Sequence, residues 1–163
     1  MPELATHSQQ PNTLAAHAAA QPVFPTNARL DELCRFLSPT PFVQENVTHT
    51  FTPGLYTRTA MAFAGDVVVS KIHKTEHPWV LLKGVARVRN DQGEWFRVEA
   101  PHFGVTKPGT QRVIVVEEDI TWLTFHATEE TDLDKIEALV IQPHDPGLPS
   151  GDGRAVAALQ GAH

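Results

Sequence analysis

From Val47 to His126 the sequence breaks into short segments rich in β-branched and aromatic residues. Turn signals separate them: Pro53-Gly54, Gly65-Asp66, Lys83-Gly84, Asp91-Gln92-Gly93 and Pro108-Gly109. Proline pre-sets the φ that a turn needs, and glycine accepts the positive φ that other residues resist. Short strands at this spacing predict a sandwich or barrel, and the absence of any helical crossover between them makes the sheet antiparallel. The pattern places strands near 47–51, 55–63, 67–73, 79–82, 85–90, 94–98, 103–106, 112–117 and 121–126.

A helix is expected on each flank. Leu30, Leu33, Cys34 and Leu37 recur at helical spacing behind a capping Asn27, and Pro39 and Pro41 end the run. Thr131 stands where it can cap a second helix, with Asp132 and Asp134 in its first turn and Leu133, Ile136, Glu137 and Val140 along one mostly apolar face, which predicts packing on the barrel. Residues 1–26 and 143–163 carry no apolar period able to offset their ordering entropy. They read as a flexible N-terminal arm and a flexible C-terminal tail around one domain, 27–142. A chain of 163 residues suits a single core.

Charge narrows the partners. With 13 Lys+Arg against 19 Asp+Glu, the chain has a formal net charge of −6 and no broad cationic surface for duplex nucleic acid. The single Cys34 cannot form an internal disulfide, the N-terminus lacks a secretory pattern and no stretch is long and apolar enough to span a bilayer, which together point to a cytoplasmic protein off the membrane. There is no Gly-x-Ser-x-Gly elbow, no glycine-rich phosphate loop and no Cys-x-x-Cys pair.

Functional groups concentrate in Lys71-Ile72-His73-Lys74-Thr75-Glu76-His77. Imidazole nitrogens and carboxylate oxygens are ligands for divalent Zn, Fe, Ni or Mn, and neighbouring strands can aim them into one cavity. The alternative is that His73 and His77 are hydrogen-bonded turn residues at a barrel mouth.

These residues, with Thr106-Lys107-Pro108-Gly109-Thr110-Gln111-Arg112, resemble the two motifs of the cupin superfamily over about residues 47–126. The resemblance implies a mainly β, antiparallel double-stranded β-helix (jelly-roll) barrel with the two helices at its flanks. Counting back from Gly84, His77 falls at the family's glutamate, His73 at its second histidine and Lys71 at its first, with Gly65 as the opening glycine. Arg112 occupies the slot of the third histidine. Two of four ligand positions thus hold cations that do not normally coordinate metal. A third ligand would come from Glu76, His102 or His126. His126 enters the cavity if Trp122, Thr124 and His126 face inward, and stays outside if Leu123 and Phe125 do.

Lys71, Lys107 and Arg112 equally suit an anion site, because a guanidinium fork matches carboxylate or phosphate and lysine adds a point charge. Against this, Arg112 can pair with Glu117, Glu118 or Asp119 as ordinary structural charge. Over residues 47–141 the chain is similar to a group of small cupin-like proteins of bacteriophages and prophages. That implies a phage or prophage origin and the host cytoplasm, and supplies no reaction. Three functions follow as expectations. The first is a cupin-like protein binding a small, anionic ligand through Lys71, Glu76 and Arg112, or a divalent metal through His73, His77 and His126. The second is a metal-dependent cupin enzyme of oxygenase or isomerase type. The third is a noncatalytic protein contacting a virion or host partner. The family resemblance also implies a homodimer.

Overall fold

The computed structural model describes residues 23–37, 46–90, 92–143 and 156–158. Most of the expected arm and tail lies outside them. The elements run α1 (Ala28–Leu37), β1 (Asn46–Thr52), β2 (Leu55–Ala62), β3 (Asp66–Val69), β4 (His77–Arg89), β5 (Trp95–Glu99), β6 (His102–Thr106), β7 (Val113–Ala127), α2 (Leu133–Val140) and β8 (Val156–Ala158). Among the described residues every strand pairing is antiparallel. The fold is the expected mainly β one with a helix on each flank.

Two long strands organise the sheet. The first half of β4 pairs with β6 and the second half with β5, while β7 runs along both halves. The C-terminal part of β7 pairs with β2, which carries β1, and its N-terminal part pairs with β3, which carries β8. Two rows result, β1-β2-β7-β4-β6 and β8-β3-β7-β4-β5, joined where β4 and β7 bend. One cluster of buried side chains from both rows, including Ala62, Trp79, Leu81, Val68, Val88, Val98, Ile114 and Ile120, fills the space between them. Burying each large one contributes about 1.5–3 kcal/mol. Each row ends on edge strands, so among the described residues the ladder does not close into a ring.

The sequence pattern predicts separate strands at 79–82 and 85–90 and at 112–117 and 121–126; the structure fuses each pair into one strand. The physical reason lies at Lys83-Gly84. The register between β4 and β7 shifts at Leu81/Lys83, Lys83/Val85 and Val85/Ala86, and Gly84 has φ +85°. A Cβ there would lie 2.2 Å from the Asp119 carbonyl oxygen, so the glycine admits a close backbone approach at a bulge, not a chain reversal. The bulge also changes which parity faces inward. His77, Trp79 and Leu81 are buried before it, Ala86 and Val88 after it.

Helix α1 lays Leu30, Leu33 and Cys34 on the opposite face of β3 and β7, against Val67, Val69 and Val113. Asn27 Oδ1 accepts from the Arg29 and Leu30 amides, as its capping position predicts. The second helix is capped by Asp132 instead of Thr131. Its side chain accepts from the Asp134 and Lys135 amides, while Glu130 accepts from those of Thr131 and Asp132. The expected strand over 67–73 ends at Val69 and reappears as a bridge between His73 and Ile141. Within the expected C-terminal tail, β8 extends the edge of β3. At the end of the expected arm, Phe24 exchanges two hydrogen bonds with the Gln142 side chain, 2.7 and 2.9 Å. No helix among the described residues is long and apolar enough to cross a membrane.

Candidate ligand-binding cavity

The strand register of the first row sets three cross-strand lines, and part of each, including Tyr56, His126, Arg58, Thr124, Ala60 and Trp122, lines a cavity. In the first, Phe51 is opposite Tyr56, Tyr56 opposite His126, and His77 opposite Thr106; the His77 and His126 ring centroids lie 4.4 Å apart. The next line is His49, Arg58, Thr124, Trp79 and Gly104. The third is Val47, Ala60, Trp122, Leu81 and His102. Polarity falls from line to line, from imidazole and phenol, through guanidinium, to alanine and indole. Ala62 and Ile120 continue the apolar end.

The second row supplies the facing wall. Ser70 and Arg112 hold each other there through Ser70 N–H to the Arg112 carbonyl and Arg112 N–H to Ser70 Oγ, both 2.8 Å. Val68 and Ile114 lie beyond them on the apolar side. Helix α2 closes one side with Leu133, Ile136, Glu137 and Val140. It is fastened by the Lys71–Glu137 ion pair at 2.6 Å, by the Lys74 amide to the Val140 carbonyl and by the Gln142 amide to the Ile72 carbonyl. The cavity volume is about 160 Å³.

Most of the residues singled out from sequence meet here. Lys71, His73, His77, Arg112 and His126 all line the cavity. Trp122, Thr124 and His126 are the inward set of β7, and His126 is 5% exposed. Glu76 and Lys107 lie outside the lining, as an exposed ion pair at 2.6 Å. His102 also lies outside, stacked on Trp79. The Glu117 carboxylate bridges Arg87 and Arg97. Sequence reasoning missed His49, Tyr56, Arg58 and Ser70. An arginine at the same parity as Tyr56, Ala60 and Ala62 was the available signal for β2.

The electrostatics are those of neutral imidazoles beside permanent cations. Burial pushes the His126 pKa down to about 3, and the charges of His77 and Arg58 add to that effect. Burial also lowers His77, against the opposing hydrogen bond to the Thr75 carbonyl, and Arg112 lowers it further. A carbonyl only accepts, so His77 Nδ1 carries the proton (3.2 Å to Thr75 O) and the lone pair resides on Nε2. His126 Nε2 lies 3.3 Å from Thr124 Oγ1, and its buried Nδ1 has no hydrogen-bond partner. Arg112 is aimed by a 2.8 Å bond to Thr106 Oγ1. With His77 and His126 neutral, the lining sets the permanent cations Arg58, Lys71 and Arg112 against the Glu137 carboxylate. This cationic interior belongs to a chain of net charge −6.

His73, His77 and His126 stand in a row, with ring centroids 4.5 and 4.4 Å apart. Their rings are tilted by 52° and 40°. Among the described residues no group of three or more His, Cys, Asp or Glu side chains is arranged to hold a metal ion. As placed, the three imidazoles do not fit a chelated metal, and the neighbouring Arg112 charge opposes one.

Neither a family model nor a curated protein matches the sequence. Among solved structures the chain is similar to a cupin protein from Bacteroides fragilis, with 19% identity over 57% of this chain and 85% of that one and a TM-score of 0.44. It is similar also to an uncharacterized protein with a double-stranded β-helix domain from Klebsiella pneumoniae, with 13% identity, 60% and 95% covered and a TM-score of 0.44. A third is a cupin-2 domain containing protein from Shewanella frigidimarina, with 10% identity, 63% and 100% covered and a TM-score of 0.42.

Proposed function

We propose that this chain is a cupin-like binding protein whose cavity takes a small organic anion. The phage or prophage origin, the host cytoplasm and the homodimer implied by its sequence resemblance belong to the same proposal. The observation that carries the anion reading is Arg112, held at the cavity wall by Thr106 Oγ1 at 2.8 Å beside a neutral, buried His77. A guanidinium in a partly desolvated cavity favours a carboxylate or phosphate through paired N–H donors, and neutral imidazoles add hydrogen bonds without competing for its charge.

A second reading, a metal-dependent enzyme using His73, His77 and His126, is favoured by the unpartnered His126 Nδ1 in a row of three imidazoles. It requires the rings to rotate into convergence. One substitution separates the two. If an anion is the ligand, Arg112→His removes the fork and the charge, so the thermal shift that benzoate induces in the wild type disappears, and Arg112→Lys restores only part of it. If a metal is the ligand, Arg112→His adds a donor, and zinc content after dialysis rises above that of the wild type. No response to either probe, in wild type or variant, refutes both and leaves the noncatalytic virion- or host-contact role.

A further inference from the structure

Four side chains at the polar end of the cavity ask for different things from a ligand. Arg112, and Arg58 on the facing strand, present donors and positive charge that match a carboxylate. His77 presents the opposite need, because its Nδ1 proton is committed to the Thr75 carbonyl and Nε2 is left as an acceptor. His126 is 5% exposed and its Nδ1 has no partner, an arrangement that costs free energy until something satisfies it. A bare carboxylate has no proton to offer either ring. A hydroxyl does, and it both donates and accepts.

The far end is apolar. Ala60 and Ala62 stand opposite Trp122 and Ile120, so the small side chains of β2 leave the space that the large ones of β7 border. At about 160 Å³ the cavity falls below the roughly 300–1,000 Å³ of sites for drug-sized ligands, which leaves room inside for on the order of ten non-hydrogen atoms.

Resting on the anion reading above, we propose that the ligand is a small hydroxy acid. Its carboxylate faces Arg112 and Arg58, its hydroxyl bonds the imidazoles of His77 and His126, and its compact hydrocarbon body lies against Trp122.

Matched acids with and without the hydroxyl test this on the full-length wild-type protein, by calorimetric titration at pH 7.5 with chelator present. The pairs are salicylate against benzoate and 2-hydroxy-4-methylpentanoate against 4-methylpentanoate, with inorganic phosphate as a third arm. At least one hydroxy acid binds about tenfold more tightly than its partner, the effect of one added hydrogen bond to buried groups. In His126→Phe that advantage collapses. Equal affinity within both pairs overturns the hydroxyl assignment and leaves the anion reading standing. Phosphate binding more tightly than every acid overturns the carboxylate and hydrocarbon assignments and the organic part of the anion reading, leaving a cavity for an inorganic anion. Binding of none of the probes overturns the anion reading itself. The wild-type comparison decides the matter even if His126→Phe fails to fold.

Discussion

Acidification should unfold this protein through His126. In the folded chain its pKa is pushed down to about 3, whereas in the unfolded chain it returns to about 6.5. Between those values the unfolded state binds a proton that the folded state does not, so stability is fully present above pH 6.5 and declines as pH falls toward 3. At pH 4.5, two units below the unfolded value, the cost is roughly 2–3 kcal/mol, from about 1.4 kcal/mol per unit. His77, also lowered by burial, steepens the decline. The perturbation is His126→Gln, which keeps a neutral polar side chain and removes the titration. The assay is urea unfolding at pH 7.5, 5.5 and 4.5, after dialysis against a chelator so that metal release does not enter. Carboxylates titrate alike in both proteins, so the difference in their pH slopes isolates His126. The wild type should lose roughly 2–3 kcal/mol more than the variant on going from pH 7.5 to 4.5. Equal slopes would refute the assignment of His126 as a buried neutral imidazole.

Gly84→Ala should cost about 2–4 kcal/mol, because it forces a side chain to a positive φ and sets its Cβ against the Asp119 carbonyl. A thermal melt unchanged from wild type would show that the bulge is not where β4 turns between rows. Glu76→Ala should change stability by less than about 1 kcal/mol, since its pair with Lys107 is exposed on both sides. It should also leave the benzoate-induced thermal shift intact, and loss of that shift would return Glu76 to the site.

The antiparallel β fold, both helices and the α1 cap were legible because they rest on local patterns: turn residues, helical spacing, a capping side chain. What escaped the sequence was set by distant neighbours. Lys83-Gly84 reads the same whether a chain reverses or bulges, and only the Asp119 carbonyl packed against it distinguishes the two. The inward face of β7 was undecidable because both faces carry large apolar residues, Trp122 on one and Leu123 and Phe125 on the other. Pairing with Tyr56 and Arg58 of β2 sets His126 and Thr124 on the cavity side. The cluster at 71–77 was visible as chemistry, yet its members part company. His73 and His77 line the cavity, while Glu76 between them turns out to Lys107. Arg58 was overlooked because a charge in a strand is usually solvated, and only its register against Thr124 sets it on the cavity side.

The sharing of β4 and β7 between both rows bears on when this chain can fold. Leu55 pairs with Ala127, and Trp79 with Thr124, so contacts that define the core join residues far apart in the chain. High sequence separation slows folding toward the millisecond-to-second range of β proteins. On a ribosome, β2, β3 and β4 emerge without the strand that all three pair with, because Val113–Ala127 is made after them. The nascent chain therefore holds apolar strand edges open until Val113–Ala127 has been made, and the two rows can join only after that.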